Sequence, residues 1–217
     1  VRLTIDKELQ RRVQDSLSSF ILSLRSTSKY HGTKGGAVAV LDVKTGEALA
    51  LANYPSYDIN TYKTNYQKLA SDTTYRPLFN RGLMGNYRPG STFKTCVAVG
   101  ALTEGVINKN TIFNCENPFM YYGTKFHCLQ IQHKGPTNIY TALQRSCNIY
   151  FYNTGDRLGI DKINEYAHAL GLGTDTGLEV ASDTGHIASP EYYAQHGLRW
   201  EQGYVVQTSI GQSETMV

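Results

Sequence analysis

The sequence predicts an α+β domain, and three observations carry that prediction. Apolar residues recur at helical spacing over residues 6 to 24, and two short apolar runs flank a turn at 42–46. An apolar segment then follows Pro89 and Gly90, with further helical patterns continuing to residue 171.

The elements follow in order. In DKELQRRVQDSLSSFILSL, Leu9, Val13, Leu17, Phe20, Ile21 and Leu24 fall at helical spacing, and Asp6 is placed to cap the start. KGGAVAVLDVKTGEALALANYPS reads as a β-hairpin in which Gly46 supplies the positive φ of the turn. Residues 54 to 88 are polar, rich in Asn, Tyr and Thr, and weakly periodic, which predicts a long irregular excursion. Residues 91 to 104 predict a buried helix, and residues 107 to 137 a loop region rich in Gly, Asn and aromatics. NIYTALQRSCNIYFYNTGDRLG predicts one or two helices, interrupted around Ser146, Cys147 and Asn148. DKINEYAHALGLG predicts a further helix, with Asp161 near its start and Gly171 at its C-cap. A Gly-, Thr- and Asp-rich loop and a polar stretch follow, ending in the apolar GYVVQTSIG.

Bulk properties exclude several classes. The chain has 217 residues, 41% hydrophobic and 18% charged, enough to bury a sizeable core. A net charge of +3 with no Lys/Arg run argues against nucleic acid. The sixteen tyrosines are scattered, as packing residues are, and form no stacking platform. No stretch approaches the roughly 18 apolar residues that span a bilayer, and the N-terminus does not read as a signal peptide. The chain opens and stops in mid-pattern, so we expect a fragment whose ends are not natural termini.

The chemistry concentrates in YRPGSTFKTCVAVGAL. Ser91 and Lys94 are three apart at the start of an apolar helix, so they share a face. A buried ammonium is costly, and a neutral amine beside a hydroxyl is a base beside a nucleophile. The helix N-terminus favours the developing negative charge of an alkoxide or oxyanion. Ser146 and Asn148, two apart at a helix break, add a hydroxyl able to relay a proton and a carboxamide able to hold a substrate amide.

Together NYRPGSTFK, RSCNIYFYNTG, LTIDKELQ, DVKTGEALALANYPSYDIN, FNRGLMGNY and SIGQSE resemble the transpeptidase domain of a class B penicillin-binding protein, of elongation or sporulation type. The resemblance runs in order over nearly the whole chain. It implies the penicillin-binding-protein and serine β-lactamase-like fold, mainly its helical part plus the leading hairpin, with the C-terminal strands missing. Residues 1–217 are then a single transpeptidase domain truncated at its C-terminal end. Ser91 is implied as the acyl-accepting nucleophile, Lys94 as its base, and Ser146 and Asn148 as the second motif. The implied activity cross-links peptidoglycan stem peptides ending in D-Ala-D-Ala and is blocked by β-lactams. Implied partners are the stem peptide of a lipid-linked precursor and other cell-wall synthesis proteins. The implied location is the extracytoplasmic face of the bacterial membrane, with the anchor outside this chain. No cofactor is needed for the chemistry. Lys44, Thr45 and Gly46 spell K-T-G, but they precede the nucleophile and match the family's hairpin turn, so the third motif is expected beyond Val217. A β-lactamase or β-lactam sensor, or a non-catalytic cell-wall scaffold, are the alternatives.

The cysteines leave a choice open. Cys115, Cys128 and His133 lie within about twenty residues and suit a structural, tetrahedral zinc site whose fourth ligand the sequence does not identify. If residues 124 to 129 are extended, His127 and Cys128 point to opposite faces, and only one ligates easily. Relatives with cysteines in this loop make a bridge between Cys115 and Cys128 the rival, and free thiols are the third outcome. Cys96 falls on the helix face away from Ser91 and is expected in the core. Cys147 is expected to pack, and His31, His168, His186 and His196 to be structural.

Overall fold

A computed structural model of the chain describes residues 2–128 and 134–217. Two compact units emerge: Val1–Gly85 with Val180–Asp183, and Asn86–Glu179 with Thr184–Val217.

The first unit is built on the hairpin. Helix α1 (Lys7–Arg25) starts where Asp6 accepts a hydrogen bond from the Leu9 amide, as its sequence predicts. Strands β1 (Gly36–Leu41) and β2 (Ala48–Tyr54) pair antiparallel, with Gly36 opposite Tyr54 and an irregularity between Val40 and Leu41. Leu17 and Ile21 of α1 pack on Ala52, flanked by Val13, Leu24, Val38 and Tyr54. Phe20, counted in the predicted stripe, is 60% exposed; the apolar stripe is narrower than the composition of the segment.

The outer edge of β2 is covered by side chains of α1. Gln10 donates to and accepts from the backbone of Leu51, and Gln14 does the same at Asn53. Each glutamine thus stands in for a neighbouring strand and satisfies an edge that would otherwise invite pairing.

Residues 54–88 are not irregular throughout. They contain α2 (Tyr62–Ser71) and the single-turn α3 (Arg81–Met84). No residue of α2 is buried, so the apolar periodicity that reveals a helix has no reason to be present.

The second unit holds the larger core. A 3₁₀ turn (Gly90–Phe93) runs into α4 (Lys94–Thr103), so Ser91 precedes the α-helix proper. Among its described residues, the predicted loop of 107–137 contains four three-residue strands: β3 (Phe113–Cys115) pairs with β6 (Gly135–Thr137), and β4 (Phe119–Tyr121) with β5 (Thr124–Phe126). Helices α5 (Ile139–Gln144) and α6 (Asn148–Leu158) are interrupted where the sequence predicts. Helix α7 (Ile160–Ala169) follows, with Gly171 at φ 86° just past its end. The late polar stretch adds α8 (Pro190–Gln195) and α9 (Gly203–Thr208).

Phe93, Val97, Ala101, Ile149, Phe151, Ile163 and Val206 form the centre of this core, and Cys96 lies in it as expected. Helices α6 and α9 meet at Gly155, where a Cβ would collide with the Cβ of Ser209. Only a glycine lets the two backbones come that close.

Candidate active site

The site is assembled from the start of α4 and the break between α5 and α6. Its position depends on residues 210–211: the Gly90 amide donates to the Gly211 carbonyl at 2.9 Å. Gly211 sits at φ 69°, and any side chain there would strike the Gly90 carbonyl oxygen. The IGQ segment thereby fixes the turn that carries Ser91.

Lys94 is the chemical centre. It is 1% exposed, yet its Nζ lies 3.2 Å from Ser91 Oγ, 3.0 Å from Ser146 Oγ, 2.9 Å from the Ser146 carbonyl and 2.6 Å from Asn148 Oδ1. Ser146 Oγ donates to Ser91 Oγ at 2.7 Å. All four residues named from the sequence therefore meet in one network, and the local spacing of three does place Ser91 beside Lys94. Burial pushes the Lys94 ammonium down to about 8, against the opposing pull of Cys128 and Cys147. The ring of Phe151 lies 5.7 Å from Nζ.

The hydrogen-bond inventory restricts what the amine can do. The Asn148 amide donates through Nδ2 to the His127 carbonyl at 3.2 Å, so its oxygen faces Lys94. That oxygen and the Ser146 carbonyl are both obligate acceptors. A neutral Lys94 spends its two N–H groups on them, and its lone pair is left for the serine hydroxyls. The protonated form turns that third position into a donor.

Ser146 has φ 52°, left-handed for a residue with a side chain, at a cost of about 1–3 kcal/mol. This conformation lets both its carbonyl and its hydroxyl reach Nζ. The early Lys44, Thr45 and Gly46 sit in the hairpin turn, where Asp42 Oδ1 accepts from the amides of Lys44 and Thr45.

The thiols gather differently from the sequence expectation. Cys115, Cys128 and Cys147 are buried, with sulfurs all within 4.8 Å of one another and 3.4 Å between Cys115 and Cys147. Cys147 does pack in the core, but it also completes this cluster, and its sulfur caps α6 by accepting from the Tyr150 amide. Burial raises the pKa of the Cys115 and Cys147 thiols. Cys128 is buried and His127 exposed, the alternation expected of an extended segment. His133 lies outside the described residues. Cys147 was missed as a cluster member because it enters from a helix start, where no ligand spacing marks it.

Comparison with known proteins finds relatives of the chain as a whole. The family model described as "Penicillin binding protein transpeptidase domain" matches residues 36–216. The peptidoglycan D,D-transpeptidase MrdA of Haemophilus influenzae is 35% identical over 98% of the chain and 32% of its own length. Stage V sporulation protein D of Bacillus subtilis is 28% identical over 88% of the chain and 27% of its own. The chain thus spans about a third of the length of the curated relatives it matches. Among solved structures, Pseudomonas aeruginosa PBP2 in complex with WCK 5153 aligns with a TM-score of 0.83 at 27% identity, covering 99% of this chain and 48% of that one. The Helicobacter pylori PBP2 of a complex with MreC aligns at 0.77 and 29% identity, covering 91% and 38%.

Proposed function

Since the chain belongs to the penicillin-binding protein transpeptidase family, we propose that it carries the acyl-transfer centre of a peptidoglycan D,D-transpeptidase, with residues 1–217 belonging to a single transpeptidase domain. The observation that carries the reading is the buried Lys94, held by two obligate acceptors and touching two serine hydroxyls.

The chemistry follows from that arrangement. Neutral Lys94 takes the proton of Ser91 as Oγ attacks the carbonyl carbon of the penultimate D-alanine of a stem peptide. The tetrahedral intermediate collapses by breaking the peptide C–N bond. The departing D-alanine amine takes a proton through the Ser146 hydroxyl, which bridges Ser91 and Lys94. An amine of a second stem peptide then attacks the Ser91 ester, forming the cross-link and returning the hydroxyl. A β-lactam follows the first half: its amide C–N bond opens, and the acyl group stays on Ser91. No step calls for a cofactor.

Work at the extracytoplasmic face of the cell membrane, alongside other cell-wall synthesis proteins, fits this chemistry. The H. pylori relative seen with MreC supports such a partner.

A structural zinc ion fits the thiol cluster. Three buried sulfurs within 4.8 Å are a soft donor set, and Cys115, Cys128 and Cys147 would hold the metal as thiolates, with His133 as the imidazole expected from the sequence. The ion would tie β3, the segment after β5 and the start of α6 together and take no part in acyl transfer. Elemental analysis and thiol counting under denaturing, non-reducing conditions separate the outcomes. About one zinc with four free thiols supports the site. No zinc with two thiols missing means a disulfide, and no zinc with four means free thiols.

The activity is tested on the full-length protein with two stem peptides, one blocked at its acceptor amine. A cross-linked product with release of one D-alanine is expected. Hydrolysis of a β-lactam at many turnovers per minute with no cross-linking would instead mean a β-lactamase.

A further inference from the structure

We propose that Asn117 is a positioning residue of the site: it fixes the His127 carbonyl that sets the orientation of the Asn148 amide. The inference rests on the transpeptidase reading and adds to it a residue outside both motifs.

Strand β5 ends at Phe126, so the chain leaves its ladder just before His127. What holds it there is a side chain. Asn117 Oδ1 accepts from the Cys128 amide at 3.0 Å, and Asn117 Nδ2 donates to the Cys128 carbonyl at 2.9 Å. Both backbone groups of Cys128 are thus held by one amide, which acts as a substitute strand. The preceding carbonyl, of His127, then accepts from Asn148 Nδ2 at 3.2 Å and from the Tyr152 hydroxyl at 3.3 Å.

The consequence for chemistry comes from the two-sided nature of an amide. With Nδ2 on His127, Asn148 presents an oxygen to Lys94. If the His127 carbonyl drifts, the amide is free to turn and present N–H instead. The Lys94 lone pair would then accept from Asn148 and cease to face Ser91. A side chain on the far side of the loop therefore governs whether the base is available.

The test is β-lactam acylation of the full-length protein, with the acylation rate constant and the dissociation constant of the initial complex determined separately per titrated active site. In Asn117→Ala the rate constant should fall about 10- to 100-fold, the cost of displacing a group in a positioned site. The dissociation constant should change less than the rate constant, because Asn117 itself bonds to the loop backbone. A rate constant within about threefold of wild type overturns the proposal. If Asn117→Ala does not fold, Tyr152→Phe decides, since it removes the other bond to the same carbonyl: a lowered rate constant supports the proposal and an unchanged one overturns it. A wild type that takes no acyl group brings down the transpeptidase reading and this inference with it. A reactive wild type with an equally reactive Asn117→Ala removes this inference alone.

Discussion

The shortest contact of Lys94 Nζ is with Asn148 Oδ1, at 2.6 Å, closer than either serine hydroxyl. In the proposed mechanism Lys94 is the base for Ser91, and this pairing makes Asn148 the neighbour whose replacement tests its charge state. An amide oxygen favours the ammonium, and burial opposes it and wins, lowering the pKa of Lys94.

The pH dependence follows. The Lys94 pKa is lowered to about 8, and in the proposed mechanism the neutral amine is the active form. Acylation should rise about tenfold per pH unit below that value and flatten above it. Lys94→Arg keeps the cation but cannot lose its proton, so acylation should fall at least about a hundredfold at every pH where the protein is folded. Stopped-flow acylation across pH checks both.

Changing the amide to a carboxylate should move the midpoint. In Asn148→Asp the negative charge beside Nζ favours the ammonium, so the pKa of Lys94 rises and the acylation profile shifts to higher pH. In Asn148→Ala an acceptor is lost, the ammonium is less stable, and the profile shifts to lower pH. The pair of opposite shifts, measured on one β-lactam, isolates the electrostatic role of residue 148.

Serine is a better N-cap than cysteine, so Cys147→Ser should keep the cap of α6. Cys147 is fully buried, so burying the new hydroxyl also costs stability, and the response to a chelator is what reports the thiol cluster. If the cluster holds zinc, the metal content of Cys147→Ser should fall well below one per chain, and a chelator should lower the melting temperature of the wild type but not of the variant. Metal analysis with calorimetry reads both.

Gly155→Ala should destabilise by about 1–3 kcal/mol, the usual cost of overpacking, despite the better helix propensity of alanine. The added methyl meets Ser209 where α6 crosses α9. Denaturant unfolding should show the shift, and Ser209→Gly in the same chain should recover most of it.

Spacing alone made the local part legible, and the family resemblance added Ser146, 55 residues from Ser91, with Asn148 beside it. Ser91 and Lys94 are three apart, and in a helical segment a spacing of three decides a shared face. Asp6, the α1 stripe and the 42–46 turn are likewise set by neighbours in sequence. Helix α2 was not legible because none of its side chains is buried and its residues are Tyr, Asn and Thr as readily as anything apolar. The three-residue strands between 113 and 137 are too short for any alternation to register. Cys147 and Asn117 act through partners 32 and 11 residues away, on elements whose approach no periodicity encodes.

The central claim is that Ser91 is the nucleophile, and intact-mass analysis after exposure to a fluorescent penicillin tests it most directly. The full-length wild type should gain the mass of one acyl group, with the adduct mapped to the peptide containing Ser91, while Ser91→Ala should gain none. An undiminished adduct on the Ser91→Ala protein would contradict the account.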